Sequence, residues 1–172
     1  MPDRSGWIIE ELAKRHERAA FSCGVAELDE YLQRFAGQNQ RTGVSHHFVA
    51  VEAPGQTEVL GYYALSAGSV AFEKVPGDLT RRLPRYPIPV AHIGRLAVDR
   101  SVQGQGVGED LLIDALTRIH RVSDQIGVHA VEVLAISDSA RRFYQKYGFT
   151  SLADDHRHLY LPLCAARKLG LV

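Results

Sequence analysis

Residues 96–108 read LAVDRSVQGQGVG, and this stretch decides the fold. An apolar strand segment runs directly into Gly104, Gly106 and Gly108, and an apolar stripe of helical spacing begins at Val107. Glycines lack Cβ atoms, so the backbone of the turn can approach an anion closely and point several N–H groups at it. The positive end of the following helix adds to this attraction. The stretch therefore predicts a strand, a pyrophosphate-binding turn and a helix in direct succession.

Two common nucleotide-binding motifs do not fit this turn. The dinucleotide-binding motif has the spacing GxGxxG, whereas the glycines here are spaced GxGxG. A Walker A loop ends in Gly-Lys followed by Ser or Thr, and no lysine lies near the turn. The sequence thus disfavours hydride transfer and nucleoside triphosphate hydrolysis. A tight corner without a ligand and a nucleotide-binding regulator remain as alternatives.

Strand and helix patterns continue on both sides of the turn. Strands are predicted at residues 7–10, 47–51, 59–70, 90–98, 128–136 and 158–161. Prolines between residues 74 and 89 predict an ordered loop. Three helices are predicted. The first has Leu28, Tyr31, Leu32 and Phe35 on its apolar face and ends at Gly43, and the second runs from Val107 through Ile126 and is ended by Gly127. The third is capped by Asp138, has Ala140, Phe143, Tyr144 and Tyr147 on its buried side and is ended by Gly148.

The order of these elements predicts an α/β (α+β) fold. The strands at residues 47–51 and 59–70 are joined by a turn signal at residues 53–56 and should pair antiparallel. The strand–turn–helix–strand order through the glycines predicts a parallel crossover. A mixed, mostly antiparallel central sheet with helices on both faces satisfies both requirements.

The composition is that of one domain spanning residues 1–172. Hydrophobic residues make up 45% of the chain and charged residues 23%, as in soluble globular proteins. No apolar run approaches the roughly 20 residues that cross a bilayer, and residues 1–4 lack the pattern of a signal peptide. Cys23 and Cys164 show no metal-ligand spacing. These features predict no metal site, no membrane association and a cytoplasmic location.

Positive charge is concentrated in one stretch, although the net charge is formally zero. Residues 73–100 contain the acids Glu73, Asp78 and Asp99 and the cations Lys74, Arg81, Arg82, Arg85, Arg95 and Arg100. The stretch is either a solvated basic face or a contact surface for phosphates, and both interpretations stand at this point.

Two motifs resemble the GNAT superfamily of N-acetyltransferases. Residues 103–108, QGQGVG, match its Q/R-x-x-G-x-G/A motif, and residues 140–149, ARRFYQKYGF, match the signature of its last helix. The resemblance implies the GNAT fold, with a splayed pair of parallel strands at the centre of the sheet. It also implies transfer of an acetyl group from acetyl-CoA to an amine.

A narrower resemblance rests on four further segments. Residues 21–32 (FSCGVAELDEYL), 61–66 (GYYALS), 83–89 (LPRYPIP) and 94–99 (GRLAVD) together resemble the acetyltransferase toxins of bacterial toxin–antitoxin pairs. This resemblance implies acetylation of the α-amine of aminoacyl-tRNA, which blocks translation. It further implies a ribbon-helix-helix antitoxin as partner and a homodimer.

The resemblance also assigns residues to roles. Tyr144 is the general acid that protonates the departing thiolate, since a phenol with pKa ~10 can share a proton with a thiol of pKa ~8.5. Main-chain groups of Leu96 and Val98 pair with pantetheine, and at the position of Ser137 many members carry Asn. The cofactor-binding set is Leu96, Ala97, Val98, Gln103, Gly104, Gln105, Gly106, Val107, Gly108, Ser137 and Phe143. The tRNA-binding set is Arg81, Arg82, Arg85 and Arg95.

No residue stands out as the general base. Glu132, His46, His47 and His92 lie on or near strands, and each is by itself a weak candidate. An α-amine of pKa ~8 is about one-tenth neutral at pH 7, so an α-amine acceptor can do without a strong base. Two alternatives remain: acetylation of a small-molecule or protein amine, and a non-catalytic module that binds CoA or an antitoxin.

Overall fold

The computed structural model describes residues 6–172. The expectation that no signal peptide is present concerns residues 1–4, which lie outside this range. The described strands are Ile8–Glu11 (β1), His46–Val51 (β2), Gly61–Val70 (β3), Ile88–Val98 (β4), Ala130–Leu134 (β5), Thr150–Ser151 (β6) and His158–Pro162 (β7). The described helices are Ala26–Glu30 (α1), Ala36–Thr42 (α2), Val107–Val122 (α3), Asp138–Lys146 (α4) and Leu163–Lys168 (α5), with a π-helical segment at Tyr31–Phe35 and 3₁₀ turns at Phe72–Lys74, Gly77–Leu79 and Arg100–Val102.

The seven strands form one mixed sheet in the order β1-β2-β3-β4-β5-β7-β6. The pairs β1–β2, β2–β3, β5–β7 and β6–β7 are antiparallel, whereas β4 and β5 are parallel. The predicted mixed, mostly antiparallel sheet with a central parallel pair is therefore confirmed. In this pair Val90–Ile93 align with Ala130–Val133, and β4 continues beyond the paired stretch to Val98.

The chain forms two compact units. The first contains the described residues up to Ser66 together with Arg95–Ala115, and the second contains Ala67–Gly94 together with Leu116–Val172. Each has an apolar cluster of its own. The cluster of the first unit includes Phe21, Leu28, Leu32, Val49 and Tyr62. The cluster of the second unit includes Val70, Ile88, Val90, Ala130 and Tyr160.

The helix predicted around Leu28–Phe35 is not regular, and the place given to Phe35 is wrong. Leu28, Tyr31 and Leu32 are buried as expected, but Phe35 is 46% exposed. The segment Tyr31–Phe35 is π-helical, and the N–H of Ala36 donates to the carbonyl of Tyr31. The wider turn breaks the 3.6-residue period, so a residue placed by that period leaves the apolar face.

Two helix boundaries also differ from prediction. The cap of α4 is Ser137 rather than Asp138, because the Ser137 hydroxyl accepts from the N–H of Ala140 at 3.1 Å. Helix α3 ends at Val122 rather than near Ile126, and the side chains of Val122 and Ile126 are 47% and 57% exposed. The Ser123 hydroxyl donates to a carbonyl of the last turn at 2.6 Å, a local bond that competes with helix continuation.

The remaining differences are small. Of the predicted buried side of α4 only Tyr144 is buried, while Ala140, Phe143 and Tyr147 are half-buried. Strand β4 begins within the predicted proline-rich loop, and the short elements β6 and α5 were not predicted. Gly43 and Gly148 end their helices with φ of +78° and +94°, as their sequence positions predicted. Within residues 6–172 no helix has the length and apolar character needed to cross a bilayer.

Candidate active site

The end of strand β4 is anchored before the glycine turn begins. Asp99 donates its N–H to the carbonyl of Leu60 at 2.8 Å. Its carboxylate accepts from the N–H of Ser22 at 2.9 Å, and from the N–H and hydroxyl of Ser101 at 3.0 and 2.8 Å. Burial opposes ionisation of Asp99, but these hydrogen bonds outweigh it and hold its pKa below the ordinary value. Asp99 therefore joins the strand end, the Arg100–Val102 turn and the segment at Ser22.

Gln103 braces the start of the turn. Its side-chain amide donates to the carbonyl of Val98 at 2.9 Å and to the carbonyl of Cys23 at 2.8 Å. The amide thus closes the turn onto the strand that precedes it. Gln103 acts here through its side chain, whereas the motif predicted only that the position belongs to the cofactor site.

Two glycines give the turn its shape. Gly104 and Gly106 have φ of +79° and +98°, a region that residues with a Cβ rarely adopt. A Cβ built on Gly104 meets no atom within 4 Å, so the main chain is exposed on that side. Helix α3 begins at Val107, and the first N–H groups of an α-helix have no acceptor within the helix. The turn therefore fits a pyrophosphate, which takes such N–H donors and the positive helix end.

A close approach of strand β3 supports the same region. A Cβ on Gly61 would lie 2.9 Å from the carbonyl oxygen of Ala97, 2.9 Å from Leu111 Cδ1 and 3.2 Å from Val107 Cγ1. Only a residue without a side chain leaves room for β4 and α3 at these distances. Ala97 is buried, and Leu96 and Val98 are half-buried.

Tyr144 lies in the second unit, on α4. Its side chain is buried and makes edge contacts with Phe143 and Phe149, with ring centroids 5.1 and 5.5 Å apart. Among residues 6–172 no side chain or main-chain group hydrogen-bonds to its hydroxyl. Burial raises the pKa of Tyr144 above its ordinary value, so the phenol stays protonated at neutral pH. This is the protonation state that a general acid requires.

The weak candidates for the general base differ in their burial and in their partners. His47 is fully buried and bonds the hydroxyl of Tyr31 at 2.7 Å. Burial and then the neighbouring cations lower the pKa of His47 to about 4, so it is a neutral core residue. His46 lies 3.5 Å from Glu11, and both side chains are more than half exposed.

Glu132 and His92 belong instead to a network of ionisable side chains in the second unit. Glu132 Oε2 bonds His158 Nε2 at 2.6 Å, and His158 Nδ1 lies 3.2 Å from Asp154, which pairs with Lys74 at 3.2 Å. The other oxygen, Oε1, lies 3.1 Å from His92 Nδ1 without the alignment of a full hydrogen bond. Burial alone would raise the pKa of Glu132, but the two imidazoles outweigh it and hold that pKa below the ordinary value. Glu132 thus lies beside the imidazole of His92, whose side chain is about one-third exposed.

Comparison with known proteins identifies the family of the chain. A family model described as an acetyltransferase (GNAT) domain matches residues 43–151. The tRNA-acetylating toxin of Mycobacterium tuberculosis (strain ATCC 25618 / H37Rv) is 42% identical over 150 residues, which are 87% of this chain and 88% of that protein. The chain belongs to the acetyltransferase (GNAT) family.

Two solved structures are similar to this acetyltransferase over nearly its whole length. AtaT complexed with acetyl-methionyl-tRNAfMet has a TM-score of 0.89 and 27% identity, over 95% of this chain and 99% of that one. A Tyr-to-Phe mutant of the toxin AtaT, bound to the C-terminus of the antitoxin AtaR and to acetyl-CoA, has a TM-score of 0.81 and 26% identity, over 96% of this chain and 98% of that one. The predictions of the fold, of an N-acetyltransferase, of acetyl-CoA as cofactor and of a likeness to acetyltransferase toxins are confirmed.

The predicted tRNA-binding residues of the acetyltransferase fall into two groups. Arg81, Arg82 and Arg85 are exposed in the second unit, and none has a carboxylate partner among residues 6–172. Arg95 belongs to the first unit, where its guanidinium lies 3.6 Å from the centre of the Tyr31 ring. Such stacking ties Arg95 to the core of its unit.

Sequence reasoning missed the anchoring role of Asp99 in the acetyltransferase. The signal was present in the residue order Asp99-Arg100-Ser101, because an aspartate two residues before a serine commonly accepts that residue's N–H. No local signal predicts the bond from Gln103 to the Cys23 carbonyl or the bond between Glu132 and His158, since these partners lie 80 and 26 positions apart in the chain. The predicted cofactor residue Ser137 uses its oxygen as a helix cap. Among residues 6–172 no group of His, Cys, Asp or Glu could hold a metal ion.

Proposed function

We propose that this acetyltransferase moves the acetyl group of acetyl-CoA to the α-amine of an aminoacyl-tRNA and thereby blocks translation. The observation that carries the proposal is the 42% identity, over 87% of the chain, to a protein named tRNA-acetylating toxin. The similar structure of AtaT with acetyl-methionyl-tRNAfMet supports it, because that complex holds an acetylated α-amine on a tRNA.

The first unit supplies the groups for the acetyl donor. Main-chain N–H groups at residues 103–108 take the pyrophosphate, and main-chain groups of Leu96 and Val98, with Ala97 between them, take the pantetheine arm. Gln103 and Asp99 hold this main chain in shape. Bound there, acetyl-CoA supplies an activated thioester carbonyl. Ser137 and Phe143 complete the proposed cofactor-binding set.

Tyr144 supplies the proton for the leaving thiolate. Its raised pKa keeps the proton on the phenol until a thiolate forms, and its hydroxyl has no competing acceptor among residues 6–172. A positioned acid of this kind contributes about 10²–10⁴-fold to the rate.

His92 takes the proton that the amine must lose. Glu132 lies beside its Nδ1, so the other nitrogen, Nε2, is the one left to act, and it borders Gly94, where a Cβ would lie 3.7 Å away. The glycine therefore leaves this edge of the imidazole uncovered. Since an α-amine of pKa ~8 is already about one-tenth neutral at pH 7, a modest base is sufficient.

Phosphates of the acceptor are bound by Arg81, Arg82 and Arg85, whose forked donors have no carboxylate partner among residues 6–172. Arg95 contributes to binding of the tRNA acceptor through its guanidinium, which lies over the ring of Tyr31. The whole of residues 1–172 acts as one N-acetyltransferase domain. We infer that the protein forms a homodimer in the cytoplasm and that its partner is an antitoxin of the ribbon-helix-helix type. The structure of AtaT bound to the C-terminus of the antitoxin AtaR supports an antitoxin as partner.

The test is one reaction of purified protein with labelled acetyl-CoA and total charged tRNA. Label should enter the tRNA fraction and disappear when the aminoacyl bond is hydrolysed, whereas uncharged tRNA should take up none. Polyamines and a lysine-rich protein serve as competing acceptors. Label in these acceptors with none in charged tRNA would refute the proposal.

A further inference from the structure

Three cations surround a small cavity in the first unit. The cavity has a volume of about 230 Å³, and its lining includes Lys14, Arg18, Gly37, Gln40 and Arg41. No acidic side chain is among its lining residues. Lys14 and Arg41 are exposed, while Arg18 is half-buried. The cavity therefore has a positive wall without a carboxylate to balance it.

Arg18 is held in place but not neutralised. Its Nη2 donates to the carbonyl of Ala13 at 3.1 Å. None of the residues from 6 to 172 provides a carboxylate partner to Arg18, Lys14 or Arg41. Burial, and after it the charge of Arg41, lowers the pKa of Arg18. The ionic neighbour that acts on Arg18 is thus another cation, which an anion between the two would relieve.

Gly37 allows the two guanidinium groups to gather at one point. A Cβ built on it would lie 3.0 Å from Arg18 Nη1 and 3.4 Å from Arg41 Nη1. Gly37 lies in helix α2 without a positive φ, so its backbone conformation does not require glycine. A glycine inside a helix costs about 1 kcal/mol relative to alanine. The space over the missing side chain explains its presence, since this space brings both forks together.

We propose that this cavity binds a backbone phosphate of the RNA acceptor, at a site to which none of the residues assigned above belongs. The inference rests on the proposed function, because that function requires a polyanionic acceptor. Two guanidinium forks and an ammonium suit the oxygens of a phosphate, which accept paired hydrogen bonds. Phosphate contacts of this kind position a protein on RNA without reading its sequence.

The first experiment removes the two exposed cations in one double variant, which carries Lys14→Gln and Arg41→Gln. The matched control is Arg167→Gln with Lys168→Gln, which removes the same charge from exposed positions in α5. Binding of aminoacyl-tRNA is measured against salt concentration. The plot of log K against log salt should become shallower by about one phosphate contact, roughly 0.7–0.9 in slope. The KM for tRNA should rise about 5- to 10-fold at unchanged kcat and unchanged KM for acetyl-CoA.

A second variant keeps every cation. Gly37→Glu places a carboxylate between the two arginines, and the atoms it meets first are the ends of flexible side chains. We expect the same loss of tRNA affinity with no loss of thermal stability. Equal tRNA affinity and equal salt slope in both variants and the control would overturn the proposal.

Competitors identify the source of the anion. Inorganic pyrophosphate and a polyglutamate peptide are each added to wild-type protein and to the Lys14→Gln, Arg41→Gln variant. Binding that is present in wild-type protein and lost in the double variant is cavity-dependent. Cavity-dependent binding of pyrophosphate, together with the loss of tRNA affinity in the double variant, supports the phosphate site. Cavity-dependent binding of pyrophosphate alone, or of the peptide alone, refutes an RNA site. If wild-type protein binds charged tRNA but does not acetylate it, the proposed function fails while the binding data still decide the cavity.

Discussion

Replacing Gln103 by glutamate should weaken acetyl-CoA binding with almost no change in side-chain size. The amide donates to two carbonyl oxygens, those of Val98 and Cys23, at 2.9 and 2.8 Å. A carboxylate cannot donate to either oxygen and would be repelled by both. Both bonds are open to solvent, so each contributes about 0.5–1 kcal/mol. The conformation of the turn that binds acetyl-CoA would be destabilised by roughly 1–2 kcal/mol, which corresponds to an increase of about 5- to 30-fold in the Kd for acetyl-CoA.

The matched control is Gln103→Arg, which keeps N–H donors at the same position. Titration calorimetry with acetyl-CoA should give a Kd for the arginine variant close to wild type, and a weaker one for Gln103→Glu. Circular dichroism should be the same for all three proteins. An unchanged Kd in Gln103→Glu, or equal losses in the two variants, would show that the brace does not organise the turn.

Three further predictions concern other parts of the protein. Tyr144→Phe should lower kcat by about 10²–10⁴-fold with the melting temperature nearly unchanged, because the hydroxyl has no protein partner among residues 6–172; turnover close to wild type would remove Tyr144 from the mechanism. Gly61→Ala should cost about 1–3 kcal/mol in urea unfolding, since its Cβ would lie 2.9 Å from a backbone oxygen, whereas Gly77→Ala, with nothing within 4 Å, should be tolerated. Burial alone would lower the pKa of His158, but Glu132 and Asp154 raise it above the ordinary value. The protonated His158 therefore contributes fully to stability below about pH 6.5, and this contribution is lost as the pH rises through the folded-state pKa. The urea midpoint of His158→Gln should therefore vary less with pH above that point than that of wild type or of the exposed-site control His156→Gln, and parallel curves would refute this.

Much of the candidate site could be predicted because its signals are local. Gly104 and Gly106 follow a strand and precede a helix within a few residues, so their positive φ values and the start of α3 at Val107 follow from neighbouring residues. Tyr144 was placed on a helix by its period and is its buried residue. The errors arose where two local rules compete. Both Ser137 and Asp138 can cap a helix, and the choice between them depends on where the chain leaves β5.

Phe35 shows a different kind of error. The apolar period of the first helix is regular in sequence, yet the helix contains a π turn between Tyr31 and Phe35. Tyr31 packs on Tyr62 and carries Arg95 over its ring, and both partners are on distant strands. Contacts of this kind override a period that is read along the chain.

By itself the sequence determined the order of the longer elements, the glycine turn between β4 and α3 and the helical position of Tyr144, because each depends on residues that are close along the chain. Only the tertiary structure decided the long-range partners. The brace from Gln103 reaches Cys23 across 80 positions, and Glu132 meets His158 because β5 pairs with β7 in one particular register. The guanidinium groups of Arg18 and Arg41 meet over Gly37, and this contact also depends on tertiary packing. Strand register and helix packing set these distances. A shift of one residue in the pairing of β5 with β7 would turn Glu132 or His158 to the opposite face of the sheet.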